Sequence, residues 1–360
     1  LGYGTLFRLT TAGQETILHN FGDGSVTNDG RYPVGYTIQA SSNTLSGVTM
    51  EGGSTIGASS TLEGGGFGSA YNMVLAPVVP LAATYVLWNN SGQASLWNIA
   101  PSGAIASAAY GPYSGWSPVA LSSDTSGNAY ILWNSTTGAT SVWKVTSSLS
   151  VSLSQSFGPY TGWTARSLAV GPDGHVHLLW NQTSDNEISI FNIILGSSFT
   201  AQACDHFAGW DGQQVAQDAT NNTWVLWVST PAADKAVVWK MSSSGALTSN
   251  TFGPYVGWQP QNLTVGPDNL ARLLWVNTST KQASVFDVAS DGTFTSEAIG
   301  PYSGWSPADL IVNKNGDSYL IWNSSANQLS LFNIMSNGTF TTSAYGPYSG
   351  WKAVAVAPGP

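Results

Sequence analysis

Charge is scarce in this chain. Asp, Glu, Lys and Arg make up 8% of its 360 residues, against roughly 25% in an ordinary globular protein. Only ten are Lys or Arg, and the formal net charge is −9. Nucleic-acid surfaces need clustered positive charge, so this composition excludes a nucleic-acid partner. The same deficit speaks against docking on anionic lipid. Long apolar runs are missing as well. None approaches the roughly 18 residues that span a bilayer, so no membrane insertion is expected in this segment. Cysteine is nearly absent: Cys204 stands alone, which rules out an intrachain disulfide and fits an extracellular bacterial protein held by packing. A start at Leu1, without Met or a signal peptide, is expected of a processed or trimmed form. Helical periodicity is missing too, since no segment carries a 3.6-residue apolar period.

What fills the space is Gly, Ser, Thr, Asn and Trp, arranged in a repeat of about 47 residues. A Gly-Trp step ends at Trp116, Trp163, Trp210, Trp258, Trp305 and Trp351. Seventeen residues after each of the first five stands a second tryptophan, at Trp133, Trp180, Trp227, Trp275 and Trp322. Trp88 belongs to that series, with Tyr71 in place of its Gly-Trp partner. Within one unit, an apolar stretch after Trp116 leads to the turn-forming DTSGN at 124–128, then AYILW, a polar loop with Gly138, SVWKV, and a last run ending at Phe157. Four short strands per unit, repeated, are the signature of β-propeller blades. The expected fold is therefore all-β, a propeller of four-stranded antiparallel blades. Seven blades is the preferred count, with six or eight as alternatives. Six units run over 71–350, a Gly/Ser-rich connector occupies 54–70, and 351–360 is a lone strand for ring closure or strand exchange.

Residues 1–53 differ in wording but scan as blade strands out of phase. Their motifs, YGTLFRLTTAGQETILHNFGDG followed by GYTIQASSNTLSGVTMEGG, resemble the GloVer tandem repeats of bacterial surface-anchored proteins. That resemblance implies a secreted propeller of unassigned biochemical role, with 1–53 completing the ring. The central units, through GW, an apolar strand, a Gly turn and an aromatic strand, are similar to tachylectin-like propeller lectins. They lack the Arg and acid that fucose-lectin propellers need in each site, and the S-x-D-x-G-x-T-W box of sialidase-type propellers.

The repeat places candidate ligand contacts on one face. The crossover between blades carries GPYxGW, pairing Tyr113 with Trp116, Tyr160 with Trp163, Tyr255 with Trp258, Tyr302 with Trp305, and Tyr348 with Trp351. The loop between second and third strands opens on the same face and starts with Asn89, Asn134, Asn181 or Asn323. Aromatic rings beside amides suit the apolar faces and polar edges of sugars. The bland alternatives are equally physical: tryptophans filling the wedge between blades, Gly-Trp as a structural staple, Asn as a turn former. Eight Asn-x-Ser/Thr sequons, those of Asn89, Asn134, Asn181 and Asn323 among them, are candidate glycosylation sites.

Catalytic signals are poor. His175 and His177 share one face of a strand and could begin a metal site, but no acidic partner recurs with them and they read as a solvent-facing pair. Cys204 near His206 reads as a buried or half-buried thiol, and Asp173 and Asp268 as turn residues. No cofactor motif is present, and no catalytic residue or metal site is expected. Three functions are left, in this order: a secreted or cell-surface glycan- or polymer-binding propeller, a structural subunit of an extracellular filament or surface layer that self-associates through its terminal strands, and an enzyme.

Overall fold

The structure is a computed structural model that describes residues 3–9, 15–23, 29–41, 44–52, 68–74, 82–182, 184–204, 207–335 and 339–360. The chain divides into two compact units, Leu1–Val79 and Pro80–Pro360. Among the described residues no helix is long and apolar enough to cross a membrane.

The second unit is a β-propeller of six four-stranded antiparallel sheets. Blade 2 shows the plan: Trp116–Ser123, Ala129–Ser135, Thr140–Val145 and Val151–Phe157, from the axis outward. The first strands of blades 3 to 6 are Trp163–Val170, Trp210–Gln217, Trp258–Val265 and Trp305–Val312. Blade 1 is assembled from both ends of the unit. Its second to fourth strands are Thr84–Asn90, Gln93–Ile99 and Ile105–Tyr110, and its first strand is the C-terminal Lys352–Pro358. The six first strands touch one another in a closed cycle, the C-terminal one lying between those of blades 6 and 2.

Two expectations change here. Ala70–Val74, placed by the sequence at the start of the first blade, pairs instead with Thr44–Gly52 in a three-stranded sheet of the first unit that also contains Gly30–Ser41. Closure comes from Lys352–Pro358 pairing with Thr84–Asn90, not from residues 1–53. The preferred seven blades therefore become six in this unit, because the C-terminal strand supplies the one strand that the first repeat lacks. The first unit also holds a hairpin of Thr5–Leu9 and Glu15–Asn20. Most of the 54–70 connector lies outside the described residues.

Packing follows the repeat. A strand buried on both faces is mostly apolar on both, and AYILW in the second strand of blade 2 has no exposed residue. Its closing tryptophan is at most 1% exposed in all six blades, at Trp88, Trp133, Trp180, Trp227, Trp275 and Trp322. Apolar side chains gather into six clusters, one at each blade–blade junction. Tyr130, Leu132 and Val142 of blade 2, for instance, pack on Leu168, Leu178 and Trp180 of blade 3. Each buried tryptophan removes on the order of 200 Å² from water, worth roughly 5 kcal/mol of gross burial.

Three residues before each of these tryptophans lies a second buried series that the sequence reading did not pick out: Tyr85, Tyr130, His177, Trp224, Arg272 and Tyr319. Four carry a polar tip to a turn, and the Tyr319 hydroxyl donates instead to Ala82 O at 3.3 Å. The Tyr85 hydroxyl donates to Gly127 O at 2.8 Å, Trp224 Nε1 donates to Asp218 Oδ2 at 3.1 Å, and Arg272 Nη2 lies 2.6 Å from Asp268 Oδ2. His177 is the exception. It is buried, its Nε2 has no hydrogen-bond partner, and burial pushes its pKa down to about 4. The solvent-facing pair expected of His175 and His177 is thus corrected: His177 packs inward, because the position belongs to an interblade series. His175 lies in the preceding turn beside Asp173.

Candidate functional site

The crossover GPYxGW is built by a turn. Trp116 N donates to Tyr113 O, and the equivalent bond recurs at 2.9–3.1 Å in all six blades, with Phe207 in the tyrosine position before Trp210. Such a turn needs a left-handed backbone at its third residue, and the glycine before each tryptophan supplies it, at φ between 76° and 82°. The crossover then ties two loops together. Tyr113 N donates to Gly92 O of the preceding blade's second-to-third-strand loop, and Gly115 O accepts from Thr136 N of the following one. Crossovers and second-to-third-strand loops therefore share one face of the ring, as the topology predicted.

The geometry sorts the sequence candidates. Each crossover tyrosine stands edge-on against the buried second-strand tryptophan of its blade, as in Tyr113–Trp133, Tyr160–Trp180, Tyr255–Trp275, Tyr302–Trp322 and Tyr348–Trp88, with ring centroids 5.1–5.5 Å apart. Tyr113, Tyr160 and Tyr348 still expose 37–41% of their surface, while Tyr255 and Tyr302 are half-buried. Trp116, Trp163, Trp258, Trp305 and Trp351 are half-buried and pack on the junction clusters. The staple reading thus describes most of each element, and a rim of ring surface remains.

The asparagines are committed to structure. Asn134 Nδ2 donates to Ala165 O and Asn323 Nδ2 to Ala353 O, both at 2.8 Å, and Asn181 Nδ2 donates to Asp211 Oδ1 at 2.6 Å. Each bond crosses to the first strand of the next blade. Asn181 is fully buried. A side chain whose amide nitrogen is so engaged can carry a glycan only if the junction opens, so the folded ring does not present these three as acceptors. Val228 and Val276 occupy the same place in blades 4 and 5 and are buried, which is why an apolar residue substitutes there. Asn89 instead accepts a long hydrogen bond from Gly92 N at 3.4 Å and borders an open cavity.

That cavity, about 1210 Å³, lies on the crossover face and spans blades 5, 6, 1 and 2. It brings together Tyr302, Trp305, Asn323 and Asn89 of the sequence candidates, with Lys281 and Lys352 beside them. Serine and threonine hydroxyls make up much of the remaining lining, and no Asp or Glu contributes. The aromatic elements at 113–116, 160–163, 255–258 and 348–351 do not reach it except through neighbours such as Ser117 and Lys352.

The axial channel, about 170 Å³, is lined by the first strands. Every first strand carries a bulge that skips one residue, Val119, Arg166, Gln213, Gln261, Ala308 or Val354. The residue after the bulge meets the next blade near the axis. Ser167 Oγ accepts from Val215 N at 2.8 Å, Gln214 Oε1 accepts from Leu263 N at 3.3 Å, and Asp309 Oδ2 accepts from Val356 N at 2.8 Å. Asn262 Nδ2 donates to the other Asp309 oxygen. Burial pushes the Asp309 carboxyl up to about 7 against these hydrogen bonds. Sequence reasoning missed this belt because its residue type changes from blade to blade and so leaves no repeat signal. Cys204 is buried, and its proposed companion His206 lies outside the described residues. Asp173 and Asp268 do cap turns, accepting from His175 N and Leu270 N at 3.0 Å. No group of three or more His, Cys, Asp or Glu that could hold a metal occurs among the described residues.

No family model matches the chain. No curated protein matches it either. The likeness of residues 1–53 to GloVer repeats rests on the quoted motifs alone. Solved structures do match in shape. A protein of unknown function from Bacteroides caccae is 12% identical with a TM-score of 0.53, over 77% of this chain and 99% of that one. AofleA from Arthrobotrys oligospora is 9% identical with a TM-score of 0.50, over 83% and 95% of the two chains. The SapL1 lectin, solved in complex with alpha methyl fucoside, is 11% identical with a TM-score of 0.47, over 74% and 97%. At these identities the likeness to the first two extends to the fold and no further.

Proposed function

We propose that the chain is a non-catalytic propeller of the cell exterior that binds glycans across the mouth of its channel. One observation carries this reading: a single open cavity collects a half-buried Trp305, Tyr302, amides and many hydroxyls on the crossover face. A ring platform with polar groups at its edge matches a pyranose, whose CH face is apolar and whose rim is hydroxylated. On a glycan array, wild type is expected to retain a subset of polysaccharides. Trp305→Ala is expected to weaken that binding about tenfold or more, as loss of one aromatic platform does. Trp163→Ala, equally half-buried but outside the cavity, serves as the control and is expected to bind as wild type does. Silence across all glycans, or equal loss in both variants, overturns the reading.

A second reading, a self-assembling structural subunit, draws on the blade edges. The six outermost strands, such as VSLSQSF and FTTSAY, contain neither Lys nor Pro, and Glu297 is their only charged residue. Phe199, Leu247, Phe294 and Phe340 on these strands are each at least 42% exposed. Edges without such guards invite pairing with a neighbouring copy. Electron microscopy of concentrated protein is expected to show filaments or sheets under this reading, and dispersed rings at every concentration would remove it.

A further inference from the structure

We propose that the glycan taken by the channel-mouth cavity is anionic, its carboxylate or sulfate groups held by Lys281 and Lys352. This deepens the glycan reading above and rests on it. The chain has ten basic residues against nineteen acidic ones, yet the cavity lining includes two lysines and no acid. Such a segregation of charge on a net-negative protein makes one spot attractive to an anion.

Among the described residues neither lysine enters an ion pair. The ion pairs of the described residues engage Lys144, Lys240, Arg166 and Arg272, and leave Lys281 and Lys352 out. Lys281 Nζ donates only to the exposed carbonyl of Thr278, at 2.8 Å. Lys352 is exposed and follows the crossover tryptophan directly. The same place in blades 2 and 6 is filled by Ser117 and Ser306, and in blade 4 by Asp211. Blades 1 and 4 lie opposite each other in the ring, so the acid sits across the axis from Lys352. Asp211 is also occupied already, accepting from Asn181 Nδ2 at 2.6 Å and Gln213 Nε2 at 2.5 Å.

The backbone at Lys281 is an independent pointer. Its φ is 60°, a left-handed conformation that favours Gly and Asn. The equivalent loop position holds Gly138 in blade 2, Asn186 in blade 3, Ala233 in blade 4 and Asn327 in blade 6, all with positive φ. A lysine kept where the backbone disfavours it, beside a cavity, is a local rule broken at a candidate site.

The test uses two matched pairs, polygalacturonate with its carboxyl-reduced form and dextran sulfate with dextran, titrated calorimetrically at low and high salt. Wild type is expected to bind the acidic member of at least one pair about tenfold tighter than its neutral partner, with the preference shrinking as salt rises. Which pair shows it assigns carboxylate or sulfate. The double variant Lys281→Asn, Lys352→Ser is expected to lose the preference while its melting temperature holds or rises, since Asn suits the left-handed position. Equal binding of both members of each pair by wild type, or a preference that survives in the double variant, overturns the charge assignment. Trp305-dependent binding of a neutral polymer in that case leaves the glycan reading standing. Binding of none of the four, together with a silent array, removes both.

Discussion

Deletion of residues 352–360 is expected to abolish the cooperative unfolding transition of the propeller. The deleted strand is the first strand of blade 1, and Ala353, Ala355, Val356 and Ala357 within it are at most 4% exposed. It contributes to the clusters on both sides of blade 1. Its loss strips the backbone partner from Thr84–Asn90 and takes away the carbonyl of Ala353, on which Asn323 of blade 6 is anchored. Four buried aliphatic side chains and an opened junction amount to about 5 kcal/mol or more, comparable with the whole stability of a domain. Near-ultraviolet circular dichroism, sensitive to the buried tryptophans, is expected to show a broad, early melt for the truncated chain. A synthetic peptide of residues 350–360 added in trans is expected to restore part of the signal. A truncated chain that melts like the full one would show that closure does not hold the ring.

The second large effect is a pH dependence hidden by compensation. Asp309 has its pKa raised to about 7, from an ordinary 3.8, chiefly by burial. Between those values the folded chain keeps a proton that the unfolded chain gives up. Stability therefore falls as pH rises through this window, by up to about 4 kcal/mol. His177 works the other way. Its pKa is lowered to about 4 from 6.5, again chiefly by burial, so the unfolded chain takes up a proton that the folded chain refuses. Stability then falls as pH drops through that range, by up to about 3 kcal/mol. The two slopes nearly cancel in the wild type.

Single substitutions should uncover them. Asp309→Asn is expected to raise stability at pH 7 and above and to leave a stability that climbs with pH between about 4 and 6.5. The new amide can keep the bond from Val356 N and donate to Asn262 Oδ1, an oxygen now buried without a partner. His177→Tyr places at that position the residue found in blades 1, 2 and 6, and is expected to leave the opposite slope. Urea midpoints measured across a pH series check both. Slopes that match the wild type in either variant would show that the group in question titrates alike in both states.

These two residues also mark how far the sequence could be read. Trp133 and its counterparts announced themselves because six junctions need the same wedge filled, and selection for one shape repeats one residue type. The glycine before Trp116 was legible for a similar reason, since one turn needs one backbone conformation. Asn134 was legible as a special position but not as to its role, because a turn former, a ligand contact and an interblade donor share one side chain. Only the position of the Ala165 carbonyl decides among them. Ser167, Gln214, Asn262 and Asp309 stayed invisible, since each meets a different partner where the blades converge and none repeats. The C-terminal strand was recognised as a strand. Its partner was not, because pairing between Val356 and Val86 spans nearly the whole ring and leaves no local trace.

At the seam of blade 1, Gly359 N donates to Ala83 O at 2.6 Å, so the two ends of the ring are already neighbours. The backbone there is continuous in space though not in sequence. For the second unit alone, a covalent linker of a few residues across the seam, with new ends cut at a polar loop tip such as Ser148, would give a circularly permuted propeller with its six sheets intact. Blade order in this ring is thus a property of the circle, and the seam in blade 1 is one choice among six.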